Sequence, residues 1–333
     1  MKLWQKLAIP AVVAGVVSAA LPELAHAQAA IKIDGSSTVF PISEAYAEEF
    51  QIQKRGKVRV TVGVSGTGGG FKKFCRGETD MANASRPISK EEMENCRKAG
   101  IKYIEMPVAF DALTVVVNPK NTWVKTMTVA DLKKMWEPSA QGRISTWKQV
   151  RAEYPAEKLM LFGPGADSGT FDYFTDAING KEKASRGDYT ASEDDNVLVQ
   201  GVENNRNAIG YFGFAYYAAH KDKMRAVSID GGKGPVAPSI ENVINGTYSP
   251  LSRPLFVYVK EASMGRPEVR EFVQFMMTQG ADLVSEVGYV PLPKNAYALA
   301  LKHYNDKKLG TVFGGEAKVG ITIDQLLAME ARL

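Results

Sequence analysis

Three short stretches of the 333-residue chain combine glycine with hydroxyl side chains just ahead of a predicted helix: Gly35-Ser36-Ser37-Thr38-Val39, Ser65-Gly66-Thr67-Gly68-Gly69-Gly70 and Asp167-Ser168-Gly169-Thr170. A helix start carries unpaired backbone N–H groups and a partial positive potential. Glycine lets an anion approach that backbone, and Ser and Thr hydroxyls donate further hydrogen bonds. Each turn alone is also an ordinary helix cap; three in one chain point to an oxyanion. A fourth stretch, Ala82-Asn83-Ala84-Ser85-Arg86-Pro87, sets an arginine among small residues after a predicted strand. A guanidinium grips a tetrahedral oxyanion with two parallel hydrogen bonds that lysine cannot match, and a surface salt bridge is the other use of such an arginine.

Other chemistries lack their residues. No Gly-Lys-Ser or Gly-Lys-Thr occurs, and no glycine turn has the dinucleotide pattern followed by a helix and a ribose-binding acid. A serine nucleophile needs a base, yet beyond the N-terminal segment the histidines are His220, at a predicted helix end, and His303, in a polar helix. Both read as structural or solvated. The Asp194-Asp195 pair stands in a polar stretch and reads as solvated charge. The cysteine and histidine spacing supplies no four-ligand metal centre, and no cofactor is expected.

The elements that must position the turns alternate. Ile31 to Asp34, Val58 to Val64, Tyr103 to Val108 and Leu113 to Asn118 read as strands, and the spacing of Ile42, Ala45, Tyr46, Glu49 and Phe50 after Pro41 predicts a helix. Lys90 to Ala99 reads as a solvated helix. Strand and helix patterns continue through Val129–Trp136, Leu159–Phe162, Thr170–Ile178, Ala208–Phe212 and Pro267–Gln279, so the fold class is α/β. Two β-branched runs, Leu113 to Asn118 and Pro254 to Val259, read as crossings between two lobes. The division is a first lobe of 28–112 and 260–333 and a second of 113–259, with a two-strand hinge.

Lys2 and Lys6, the apolar run Leu7 to Leu21 and the small-x-small site Ala25-His26-Ala27 predict an export signal over residues 1–27, cleaved at about Ala27. The apolar run falls short of the roughly 20 residues needed to span a bilayer. The whole chain carries 41 Lys and Arg against 37 Asp and Glu, too even a balance to suggest nucleic acid. Both cysteines, Cys75 and Cys96, lie in the exported part, where oxidation is permitted, and are expected to form a disulfide.

Taken together, Gly35 to Thr38, Ser65 to Gly70, Asn83 to Pro87, Leu113 to Pro119, Asp167 to Thr170 and Ala208-Ile209-Gly210-Tyr211-Phe212-Gly213 resemble the periplasmic phosphate-binding proteins of Pst-type ABC transporters, over nearly the whole exported chain. The resemblance implies the type II periplasmic-binding-protein fold and phosphate held between the lobes, without enzymatic turnover. It implies delivery to the transporter's membrane subunits by a soluble, extracytoplasmic monomer. Position by position, Ser37, Thr38 and the N–H of Val39 would serve the first helix, Ser65, Thr67 and Gly68 the second, and Ser168, Gly169 and Thr170 the opposite lobe. Arg86 would supply the balancing charge.

One branch of that family has aspartate where Ser85 stands here and an arginine where this chain has Gly163-Pro164-Gly165. Phosphate keeps a proton near neutral pH and sulfate does not, so an acceptor separates the two. Asp111 is the candidate for that role, with Asp167 its competitor as a helix cap. Another tetrahedral oxyanion such as sulfate, an exported phosphatase and a sensor or adhesion protein are the other functions the residues leave open.

Overall fold

In the computed structural model, which describes residues 28–333, apolar and β-branched runs build a six-stranded sheet. Its order is Val290–Pro291, Tyr103–Ala112, Ser252–Lys260, Met81–Ala84, Ala29–Gly35, Val58–Val64. The last three are parallel to one another, while Ser252–Lys260 runs antiparallel to both of its neighbours. The expected signal, residues 1–27, lies outside the described residues.

Each parallel strand feeds a helix: Phe40–Gln53, Gly66–Cys75 and Lys90–Lys98. The turns that join them therefore emerge at one edge of the sheet, beyond the strands' carboxyl ends, where α/β folds place their ligands. Packing sets the angles. Phe71 of the second helix meets Tyr258 edge to face, with ring centroids 4.9 Å apart, and each fully buried aromatic of this kind contributes about 2 kcal/mol or more.

The second lobe holds a five-stranded sheet in the order Arg225–Ala226, Thr114–Val117, Ala208–Phe212, Met160–Pro164, Thr190–Ser192, and a three-stranded one of Pro235–Val236, Ser228–Asp230 and Thr126–Thr128. Helix Gly169–Asn179 follows Met160–Pro164, and helix Asp195–Glu203 follows Thr190–Ser192. Phe174 of the first of these helices stacks on Tyr211 at 3.8 Å, and Trp136 closes on the same tyrosine at 4.9 Å. This aromatic cluster fixes the helix on the second-lobe sheet.

The first crossing runs from Ala112 through Leu113 into Thr114. Its N–H at Leu113 donates to the carbonyl of Leu251, and the Tyr248 hydroxyl donates to the carbonyl of Leu113. The return crossing differs from expectation. Helix Ile240–Ile244 already packs on Tyr103–Ala112, and Ser252–Lys260 lies inside the six-stranded sheet. Residues 252–259 thus stand with the first lobe, not the second, and the chain returns after Pro235–Val236. Antiparallel insertion of a strand between two earlier ones leaves no local mark in sequence, which is why the run at 254–259 looks like a crossing.

The disulfide joins Cys75, the last residue of its helix, to Cys96 in Lys90–Lys98, across a separation of 21 residues. It ties together two helices that follow ligand-edge turns. A bridge closing a loop of this size constrains the unfolded chain by about 3 kcal/mol. The Cys75→Ser, Cys96→Ser double variant should lose about that much unfolding free energy in urea, measured beside the oxidised parent; an unchanged midpoint would contradict it.

Candidate functional site

The turns converge. Ser36 to Thr38, Thr67 and Ser85 from the first lobe face Ser168, Gly169 and Thr170 at the start of helix Gly169–Asn179, and all of these are buried. The Thr67 and Ser85 hydroxyls lie 3.2 Å apart, and the Ser85 N–H donates to Thr67 Oγ1 at 3.2 Å. Across the lobes, Thr38 Oγ1 and Thr170 Oγ1 are 2.9 Å apart. Glycine is required at position 169: a Cβ there would stand 2.5 Å from Thr67 Oγ1 and 2.7 Å from Ser85 Oγ. Ser168 caps its helix, its hydroxyl oxygen accepting from the Thr170 N–H.

At the centre is a residue that sequence reasoning missed. Arg253, with 0% exposure, reaches from strand Ser252–Lys260 to both lobes. Its Nη2 donates to Thr170 Oγ1 at 2.8 Å and Thr38 Oγ1 at 3.3 Å, and its Nη1 to the carbonyls of Ser85 and Gly169 at 3.2 and 3.3 Å. Asp111 is its counter-ion, at 3.0 Å. The other oxygen of Asp111 accepts from the Phe214 N–H at 2.9 Å, so this carboxylate is engaged on both sides as the holder of Arg253. Burial pushes the Asp111 carboxyl up, against the pull of Arg253 and the Phe214 N–H.

Asp195 is the second missed residue. Far from solvated, it is 1% exposed on the first turn of its helix, and neither of its oxygens has a hydrogen-bond partner among the described residues. Burial pushes its carboxyl up to about 7; the Arg253 charge opposes this and the Asp111 charge adds to it. The Ser37 hydroxyl lies close to it, outside hydrogen-bonding geometry. The hydroxyl of Tyr289 is likewise buried and unpartnered among the described residues. Buried polar atoms left in this condition call for a polar guest. Both missed residues left a trace in the sequence. Arg253 is a charge opening an apolar strand, and Asp195, Leu198, Val199 and Val202 fall at the i, i+3, i+4, i+7 spacing of one helix face.

Five expected site groups are otherwise occupied. The Ser65 hydroxyl donates to Asp34. The Val39 N–H donates to the Ser36 hydroxyl oxygen at 3.4 Å, because the helix starts one residue later, at Phe40. The Gly68 N–H donates across the cleft to the carbonyl of Asp167 at 2.8 Å, and the Asp167 carboxylate pairs with Lys72 at 2.7 Å. Arg86 is buried between two carboxylates. Nη1 and Nη2 grip Glu92 at 2.8 Å each, and Nε donates to Asp172 at 2.7 Å. A guanidinium flanked by two negative charges has no net attraction left for an anion.

Comparison with known proteins identifies the family. Residues 22–279 match the model of the PBP superfamily domain. The chain is 53% identical to protein SphX of Synechococcus elongatus, covering 96% of this chain and 94% of that protein. It is 40% identical to the phosphate-binding protein PstS of Staphylococcus haemolyticus, covering 83% and 86%. The chain belongs to the PBP superfamily, in the branch of SphX and PstS. A protein from Clostridium perfringens, described as a phosphate ABC transporter substrate-binding protein and solved with phosphate bound, superposes with a TM-score of 0.67. Their identity is 28%, over 79% of this chain and all of that one. The two-lobed type II fold expected from the sequence is thereby established.

The raised Asp195 carboxyl has a consequence for stability that needs no ligand. Between the ordinary carboxylate range near 4 and about 7, the folded protein holds a proton that the unfolded chain has released, so stability falls as pH rises through that interval. Asp195→Asn should therefore gain on the parent in melting temperature from about pH 4 to about pH 7 and hold a constant lead above it. Parallel curves for the two proteins would show that Asp195 is not perturbed.

Proposed function

We propose that this protein captures inorganic phosphate outside the cytoplasmic membrane, between its two lobes, and delivers it to the membrane subunits of an ABC transporter. The observation that carries the reading is Arg253: a fully buried guanidinium whose forked N–H groups meet hydroxyls from opposite lobes. A tetrahedral oxyanion entering between Thr38 and Thr170 would take those donors, together with the hydroxyls of Ser37, Thr67, Ser85 and Ser168 and the N-terminal dipoles of the flanking helices. The names of the relatives and the phosphate-bound neighbour support the same ligand.

In this reading Asp111 orients Arg253, and Asp195 is the acceptor for the proton that phosphate carries and sulfate lacks. Its unpartnered oxygens and its place beside Ser37 support that assignment over Asp111, both of whose oxygens are taken. The export signal, with cleavage at about Ala27, a monomeric state and a binding rather than catalytic role complete the proposal. Among the described residues no helix is long and apolar enough to cross a membrane, and no group of side chains could hold a metal ion.

Titration calorimetry of the phosphate-stripped protein tests this. Phosphate should bind one to one with sulfate rejected at about pH 8, where Asp195 is charged. Rejection should weaken at about pH 5.5, where a protonated Asp195 becomes a donor that sulfate can use. Arg253→Lys keeps the charge but not the fork and should weaken phosphate roughly a hundredfold, while Asp195→Asn should narrow the gap between the two anions. No phosphate binding, or a preference for sulfate at the higher pH, would overturn the assignment.

A further inference from the structure

Arg86 and Asp172 belong to different lobes, and both are almost wholly enclosed, with side-chain exposures of 3% and 1%. Arg86 is held on the first lobe before it meets its partner. Glu92 receives two of its N–H groups at 2.8 Å and the Pro87 carbonyl another at 3.0 Å. Glu92 is itself anchored, because it completes the capping box of its helix by accepting from the Ser89 N–H at 2.8 Å. Of the groups so arranged, the Nε–H points across the cleft and donates to Asp172 Oδ2 at 2.7 Å. Asp172 lies in the first turn of helix Gly169–Asn179, two residues beyond Thr170. Arg86 directly follows Ser85. The ion pair and the ligand cradle are therefore carried by the same two elements, one from each lobe.

We propose that the Arg86–Asp172 pair is a latch between the lobes, an interaction made only in the closed protein and independent of the bound ion. A contact made only on closure raises the closed population before any ligand arrives, and the apparent affinity for a ligand that needs the closed state rises with that population. The latch is a positioning device, and Arg86 acts on the ligand through the lobes rather than by touching it. Its effect on affinity rests on the reading of the cleft as a phosphate cradle; its effect on closure does not.

Small-angle scattering of the phosphate-stripped parent and of Asp172→Asn separates the two. Asn keeps the shape and an acceptor but removes the charge, so the variant should scatter as a more open particle than the parent, while saturating phosphate brings both to one compact envelope. Phosphate affinity should fall about tenfold, within the usual range of such couplings. Asp172→Ala, with no acceptor at all, should open further, and having both variants guards against one of them failing to fold. Identical ligand-free scattering for parent and variants, all melting cooperatively, would overturn the latch. If none of the proteins binds phosphate, the ligand reading fails and the ligand-free scattering comparison still decides the latch.

Discussion

Everything at this site follows from placing one guanidinium where water cannot reach it. Moving an ion from water into a protein interior costs several kcal/mol even after relaxation, so a buried charge must be met by opposite charge and by hydrogen bonds. Arg253 has one close counter-ion, Asp111, and spends its remaining donors on two hydroxyls and two carbonyls drawn from both lobes. A second full carboxylate would have cancelled its attraction for an anion. Asp195, the other buried carboxylate near it, makes no hydrogen bond to Arg253 and so leaves that attraction in place.

The contrast with Arg86 shows that neighbours, not residue type, decide what a buried arginine does. Arg86 has Glu92 and Asp172 at hydrogen-bonding distance, and although burial alone would weaken its hold on the proton, those two carboxylates raise that hold well above the ordinary value. The cluster's formal charge is negative, which suits holding two pieces of protein together and does not suit binding phosphate. Arg253, one carboxylate poorer and surrounded by hydroxyls and helix starts, has the opposite balance. Most of the ligand's charge would be met by oriented dipoles, which need no counter-ions of their own and do not neutralise one another.

Local chemistry was legible in the sequence, and its long-range partners were not. The glycine and hydroxyl turns were readable as helix starts because Gly, Ser and Thr are favoured there. Strands such as Val58–Val64 and Ala208–Phe212 and the helix Val129–Trp136 matched their periodicity to the residue. The disulfide followed from compartment and count. By contrast, the fate of Arg86 depended on Asp172, 86 residues away in the chain and on the other lobe. The placement of Ser252–Lys260, and with it Arg253, depended on antiparallel pairing with Tyr103–Ala112. Asp195 was misread for another reason: a pair of adjacent acids suggests solvated charge, and only the helical spacing to Leu198, Val199 and Val202 turns the second of them inward.

The hinge explains why such distant residues can be brought to one point. Arg253 lies two residues beyond Leu251, whose carbonyl accepts from the Leu113 N–H at the first crossing, and Asp111 lies two residues before that crossing. The two are paired across adjacent antiparallel strands, Arg253 opposite Asp111, so the sheet register itself sets their ion pair. The central charge therefore sits on the first sheet, beside the first crossing between the lobes. The groups that meet it from the second lobe, the Thr170 hydroxyl and the Gly169 carbonyl, ride on a helix start. A charge fixed by sheet register in one lobe and acceptors presented by a helix start of the other complete the site where the lobes meet, without either core having to repack around it.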